Sequence, residues 1–216
     1  MSRGEADVLE RQLEARDPDV RLMLQVKDDV PAAFEALVQR YQDRLVGLLY
    51  HLVGNRQEAE DLTRDTFLRV YKSRKGYRPR AKFSTWLYTI ANNLAFNYIR
   101  RKAHGSSSPA QKAHESSQAQ GALPHELPSR ESTASSQVRK IELAEVVQDA
   151  LKILGEDQRL AVFLSKFEEM SYAEIAEVMN RSPTAIKSLL ARARNELREH
   201  LQPYAGFSER EAERQP

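Results

Sequence analysis

The cations Arg69, Lys72, Arg74, Lys75, Arg78, Arg80, Lys82, Arg100, Arg101, Lys102 and Lys112 fall in one stretch, and no Asp or Glu stands between Asp65 and Glu115. Tyr77, Phe83, Trp86, Tyr88, Phe96 and Tyr98 lie among them. Positive charge draws a phosphate backbone and releases its counterions. Aromatic faces stack on bases that have left a duplex. Interleaving the two suits a surface for opened or single-stranded DNA. A solvated basic face over an aromatic core has the same composition, and the segment alone leaves both readings open. Helical spacing adds a second feature. Trp86, Thr89, Asn93, Asn97 and Arg100 follow one another at three- and four-residue steps, which puts an aromatic, two amides and a cation on one stripe.

A second constellation lies near the C-terminal end. Ser171-Tyr-Ala-Glu174 has the form of a capping box, opening a short helix with Ile175, Ala176, Val178 and Met179 inward. Asn180 and Arg181 make a turn, where Asn tolerates the left-handed conformation. Ser182 then caps a second helix with Pro183 at its first position. Ile186, Leu189, Leu190, Ala193 and Leu197 face inward. Lys187, Ser188, Ala191 and Asn195 face outward, flanked by Arg192, Arg194 and Arg198. Two helices around a tight turn, the second basic, form a helix-turn-helix for duplex DNA. A helical hairpin with a charged surface is the plainer alternative.

No catalytic constellation accompanies these features. There is no cysteine, and the five histidines are scattered, so thiolate and histidine metal sites are not expected. A Gly-rich phosphate loop and a nucleophile with a paired base are also lacking. The chain is therefore expected not to be an enzyme and to need no cofactor. No apolar run is long enough to span a bilayer, and the polar opening MSRGEADVLERQ is no signal peptide. A cytoplasmic protein without membrane insertion is expected.

The elements that must position these residues read as helices. Pro31 falls in a first turn, after which Phe34, Leu37, Val38, Tyr41, Leu45, Leu48 and Leu52 recur at helical spacing. Asn55 with Glu58 caps a second helix burying Ala59, Leu62, Thr66, Phe67 and Val70. The loop GYRPRAK leads to a third helix from about Ser84 to Arg101, with Leu87, Ile90, Ala91, Leu94 and Tyr98 on its apolar face. Residues 105–137 are dominated by Ser, Pro, Gln and Ala. Such a segment buries too little surface to offset its ordering entropy, so a flexible linker is expected, spanning roughly 30 Å as a coil. The fold expected is all-α: a charged tail over 1–16, a helical domain over 17–104, the linker over 105–137, a second helical domain over 138–201 and a tail over 202–216. Charge is segregated along it. Residues 1–65 hold fourteen acids against nine bases, which suits a protein partner for the acidic part and nucleic acid for the basic part.

In order and character, these segments resemble bacterial RNA polymerase sigma factors of the extracytoplasmic-function (ECF) type, group IV of the sigma-70 family. AAFEALVQRYQDRLVGLLYHLVGN is similar to the opening helix of sigma region 2, and EAEDLTRDTFLRVYKS to the segment that docks on the clamp helices of the polymerase β′ subunit. KFSTWLYTIANNLAFNYIRRKAH resembles the promoter-melting, −10-reading helix. LGEDQRLAVFLSKFEEMSYAEIAEVMNRSPTAIKSLLARARNELREHL is similar to sigma region 4, which reads the −35 element. The resemblance implies core-polymerase binding by Asp61, Leu62, Arg64, Asp65 and Leu68. It implies −10 contacts by Tyr77, Arg78, Arg80, Lys82, Phe83, Trp86, Asn93, Asn97 and Arg100. It implies −35 contacts by Ser182, Lys187, Ser188, Ala191, Arg192 and Asn195. The partners implied are polymerase core (β′ clamp helices and β subunit), promoter DNA and an anti-sigma factor. Arg64 and Asp65 stand where the family usually has Gln and Glu, Ala185 where Thr is usual, and Leu189 where a basic residue is common.

Two other functions fit part of the pattern. A dimeric helix-turn-helix regulator explains residues 138–201 but leaves the basic–aromatic segment without a role. A nucleic-acid-modifying enzyme lacks a catalytic cluster. Co-elution with bacterial core polymerase and promoter-specific transcription separates all three.

Overall fold

The computed structural model describes residues 3–104, 146 and 149–212, which form helices joined by turns and short irregular segments, with no strand among them. The helices are α1 Arg3–Arg16, α2 Pro18–Lys27, α3 Ala33–Val53, α4 Arg56–Ser73, α5 Phe83–Ala103, α6 Glu156–Lys166, α7 Tyr172–Met179 and α8 Pro183–Ala212, with a 3-10 turn at Arg74–Gly76. They divide into two compact units, one within 1–121 and 174–181, the other within 122–173 and 182–216.

The first unit is built on α3, whose Leu37, Tyr41, Leu45, Leu48, Leu49 and Leu52 are buried. It ends at Gly54, whose φ of 74° is the left-handed stop that glycine adopts without strain. One residue on, Asn55 Oδ1 accepts the Glu58 amide at 3.0 Å and starts α4. Every residue expected inward on α4 is buried. Thr63 and Thr66 join the core because their hydroxyls donate to the Ala59 and Leu62 carbonyls, 2.8 and 2.7 Å away. Along α5, Leu87, Ala91, Leu94 and Tyr98 are buried as expected, Ile90 is half-buried, and Phe83, Tyr88 and Ala95 widen the buried face. In α7, Ile175, Ala176, Val178 and Met179 are all buried.

Three sequence-based expectations need correction. Residues 3–16, expected as part of a charged tail, form a helix, α1. Pro31 lies in a turn rather than in the first turn of α3, because Ala32 at φ 64° cannot be helical and the helix starts at Ala33. The C-terminal segment continues α8 as far as Ala212. The linker expected over 105–137 lies outside the described residues.

α2 is an element that the sequence reading passed over. Asp17 Oδ1 accepts the Asp19 and Val20 amides at 2.9 and 3.4 Å, and Pro18 occupies the first helical position, where no amide donor is needed. Val20, Met23 and Val26 bury its inner face. Asp19 is buried as well. Its carboxylate accepts the Tyr41 hydroxyl at 2.6 Å and pairs with Arg40, so the charge is compensated.

Two phenols in this unit are held neutral by the fold. The Tyr41 hydroxyl is pushed far above its ordinary value by burial, then by its hydrogen bond to Asp19. Tyr77 is raised by burial and by the charge of Asp17. A folded value above the unfolded one, about 10, gives stability that is fully present below that pH and lost as pH rises. An ultraviolet phenolate titration is therefore expected to leave Tyr41 and Tyr77, among the eight tyrosines, un-ionised until helical circular dichroism is lost. The Tyr77 hydroxyl is buried without a partner. Tyr77→Phe should remove one late step while stability holds or rises. A Tyr77 that ionises with the exposed phenols in the folded protein would contradict this.

In the second unit, Leu160, Ala161, Val162, Phe163 and Leu164 of α6 and Ile186, Leu190 and Ala193 of α8 are buried. Gln158 joins the two helices: its Oε1 accepts the Gly155 amide at 3.0 Å and its Nε2 donates to Glu196 at 2.8 Å. Arg159 donates to the Leu151 and Leu154 carbonyls at 3.1 and 2.9 Å, closing the helical turn before α6. No helix among the described residues is long and apolar enough to cross a membrane.

Candidate nucleic-acid interface

Residues 77–80 alternate: Tyr77 and Pro79 are buried, Arg78 and Arg80 exposed. Backbone near φ −61°, ψ 131° at Tyr77 is extended, so successive side chains turn to opposite sides. The alternation anchors the loop by two apolar side chains and projects two guanidiniums outward. Neither arginine has an ion pair or hydrogen bond among the described residues. Other cations of the stretch are already engaged. Asp29 pairs with Arg74 at 3.1 Å and with Lys75, and these hydrogen bonds hold its carboxyl below the ordinary carboxylate value. Lys82 pairs with Glu174 at 2.8 Å, and Lys102 with Glu58 at 3.0 Å. The stretch that is purely basic in sequence is thus partly neutralised by acids from elsewhere, while Arg78 and Arg80, like the exposed Arg69, Lys72 and Arg101, keep their charge unpaired among the described residues.

The aromatic residues separate into two kinds. Phe83 is 0 % and Tyr77 4 % exposed. As folded, neither offers a face to a base. Phe83 packs against Tyr41 with centroids 5.4 Å apart. Trp86 is half-buried, with Tyr77 at 4.8 Å and Phe83 at 6.0 Å. Its indole is held from beneath by two core rings, with part of its surface open. Farther along the stripe, Asn93, Asn97 and Arg100 are exposed. Arg100 donates to Asn97 Oδ1 at 3.0 Å. Asn93 makes no side-chain hydrogen bond among the described residues, so its donor and acceptor are both available. The adjacent amide, Asn92, is buried and donates to the Val178 carbonyl at 3.2 Å. One helical step separates a structural amide from an available one.

On α4, Asp61, Arg64, Asp65 and Leu68 are exposed and lie at the spacing of one helix face. Leu68 is an exposed apolar side chain at 48 %, whereas Leu62, expected beside the two aspartates, is 6 % exposed and packs inward. Asp61 and Arg64 pair at 2.7 Å in the open, a contact worth little by itself.

On α8, Ser182, Lys187, Ser188, Ala191, Arg192 and Asn195 are all exposed. Asn180 adopts φ 51° between α7 and α8, and Ser182 Oγ accepts the Ala185 amide at 3.2 Å. Ser188 donates to the Thr184 carbonyl at 3.1 Å, which leaves its oxygen as an acceptor. Lys187 and Arg192 have no protein partner among the described residues. The groups that sequence reasoning missed are Asp17, Asp19, Lys27 and Asp29. The pair Asp17-Pro18, a cap followed by a first-turn proline, was the signal that could have found the first of them.

The family profile of Sigma-70 region 2 matches residues 37–105, and that of Sigma-70, region 4 matches residues 144–197. The RNA polymerase sigma-H factor of Pseudomonas aeruginosa is 31% identical over 188 residues, covering 87% of this chain and 96% of that protein. The ECF RNA polymerase sigma factor SigW of Bacillus subtilis is 31% identical over 82% of this chain and 93% of its own. The ECF RNA polymerase sigma-E factor of Haemophilus influenzae is 32% identical over 86% and 96%. The sigma factor RpoE of Bartonella quintana, solved in complex with the anti-sigma factor NepR, superposes with a TM-score of 0.60 at 24% identity over 79% of this chain and 98% of that one, a likeness of fold. With both regions matched in order and relatives aligned over nearly their whole length, the chain belongs to the sigma-70 family and is an ECF-type sigma factor, a transcription initiation factor.

Proposed function

We propose that this sigma factor docks on core polymerase through the exposed face of α4, reads and opens the −10 element with α5 and the loop before it, and reads the −35 element with α8. Asp61, Arg64, Asp65 and Leu68 form the docking face, with Leu62 as its inner support. Arg78 and Arg80 hold the phosphates of the opened strand, Trp86 stacks at its edge, and Asn93 reads a base, with Asn97 and Arg100 beside it. Tyr77 and Phe83 brace Trp86, and Lys82 reaches DNA only by exchanging Glu174. Ser182, Lys187, Ser188, Ala191, Arg192 and Asn195 face the upstream duplex. The observation that carries this reading is a half-open indole and an exposed, unpartnered amide on one stripe of α5, with two exposed, unpartnered guanidiniums in the loop that leads into that helix. The protein acts in the cytoplasm beside polymerase, without chemistry of its own. An anti-sigma factor is its further partner, supported by the complex in which the RpoE structure was solved.

The experiment is reconstitution: purified protein added to bacterial core polymerase, with run-off transcription on genomic promoter fragments. Promoter-specific transcripts that require the protein are expected. Transcription unaltered by its addition, at saturating core, would refute the reading. In the same assay Lys187→Ala and Arg192→Ala should weaken promoter binding and flatten its salt dependence, by a slope of about 0.9 for each phosphate no longer neutralised. Wild-type binding by Arg192→Ala across a salt series would remove α8 from the interface.

A further inference from the structure

The loop with Arg78 and Arg80 has no helix of its own, yet both its ends are tied to a single helix. At the N-terminal end of α2, Asp17 Oδ2 accepts the Phe83 amide at 2.9 Å. At the C-terminal end, Lys27 Nζ donates to the Tyr77 carbonyl at 2.9 Å. Lys75 Nζ donates to the Lys27 carbonyl at 2.8 Å. Asp29, two residues on, pairs with Arg74 and Lys75. α2 has ten residues, about 15 Å of helix. A six-step chain from Tyr77 to Phe83 could extend to about 20 Å or fold much shorter, so these two posts decide its span. All of these α2-end residues precede the stretch matched to Sigma-70 region 2.

We propose that α2 is a splint for the base-reading edge of α5, with Asp17 and Lys27 as positioning residues that set how sharply the loop and Asn93 discriminate at the −10 element. This rests on the function proposed above for α5.

The chemistry of Asp17 makes the role testable. α5 has no acidic residue in its first turn, and Lys82 gives no side-chain cap. A carboxylate there satisfies an otherwise orphaned amide and complements the helix dipole. Asp17 uses one oxygen for α2 and the other for α5. An asparagine has one acceptor oxygen, so Asp17→Asn keeps nearly the same shape and must abandon one helix. Lys27→Met keeps the stem and removes the donor. Lys27→Arg restores a cationic donor.

The test uses full-length variants assembled with core polymerase. The probes are single-stranded non-template −10 oligonucleotides from a promoter found by run-off transcription, with the base most sensitive to Asn93→Ala either kept or changed. Binding to a −35 duplex and circular dichroism at the assay temperature serve as readouts that loop position should not move. Asp17→Asn and Lys27→Met are expected to lower the discrimination ratio about three- to ten-fold, the scale of a lost helix cap, with −35 binding unchanged and Lys27→Arg recovering most of it. Should Asp17→Asn unfold at that temperature, the Lys27 pair decides alone. Wild-type discrimination in the folded variants, beside a loss in Asn93→Ala, overturns the splint and leaves the α5 reading standing. No loss in Asn93→Ala itself overturns both.

Discussion

Asn93→Ala is expected to lower run-off transcription from the cognate promoter roughly five- to hundred-fold, the range set by one amide–base pairing of about 1–3 kcal/mol. Asn93 is exposed and bonded to no other side chain or carbonyl among the described residues, so truncating it leaves no buried group unsatisfied and should not unfold the domain. A base taken out of the stack exposes its Watson–Crick edge, at an unstacking cost of a few kcal/mol. On the function proposed above, the indole of Trp86 and the guanidiniums of Arg78 and Arg80 would offset that cost. The loss should shrink on a template whose −10 region is already mismatched and whose critical base is changed, because there is then less strand opening to drive and no base for the amide to read. Asn92→Ala supplies the contrast. That side chain is buried and donates to Val178, so its loss should touch stability and leave base preference unchanged. Full activity with unchanged preference at every −10 position for Asn93→Ala would move the reading function to another residue.

What made the exposed placement of Asn93 legible, and the burial of Phe83 illegible, is locality. The α5 stripe follows from a fixed helical period, and a period is a property of neighbouring residues. So are the Asn55 cap of α4 and the Ser182-Pro183 start of α8, both found where expected. Whether Phe83 faces DNA or core depends on Tyr41, whose ring arrives from 42 positions earlier in the chain. The charge of the basic segment depends likewise on Asp29 and Glu58, which approach Arg74, Lys75 and Lys102 only after folding. Composition gave the sign of the surface; tertiary pairing decides which cations remain free. α2 carried a local signal, Asp17-Pro18, but its second role, the cap on Phe83 across 66 positions, has no trace in spacing.

On α4 the face proposed to dock can be told from the face that packs by substituting residues on each. Asp61→Arg reverses an exposed charge, removes the partner of Arg64 and sets two guanidiniums one turn apart. In the free protein this should cost little, since an exposed pair of this kind contributes under about 1 kcal/mol. Against core polymerase the outcome depends on desolvation. A rim charge chiefly alters the association rate, whereas a buried hydrogen-bonded charge costs about 2–5 kcal/mol when its pairing is broken. The expected result is a loss of core affinity of at least about ten-fold, with a raised dissociation rate and an unchanged melting temperature. Leu68→Ala, the exposed apolar neighbour on the same face, should weaken core binding in the same way, because its side chain is available to be buried by a partner. Leu62→Ala behaves oppositely: an inward leucine truncated in a packed core costs about 2–5 kcal/mol of stability, so its melting temperature falls, and core binding follows only the folded fraction. Equilibrium binding of the three labelled variants to core, read beside thermal melts, separates the two faces. Unchanged affinity and dissociation rate for Asp61→Arg and Leu68→Ala would place the polymerase contact elsewhere on the domain.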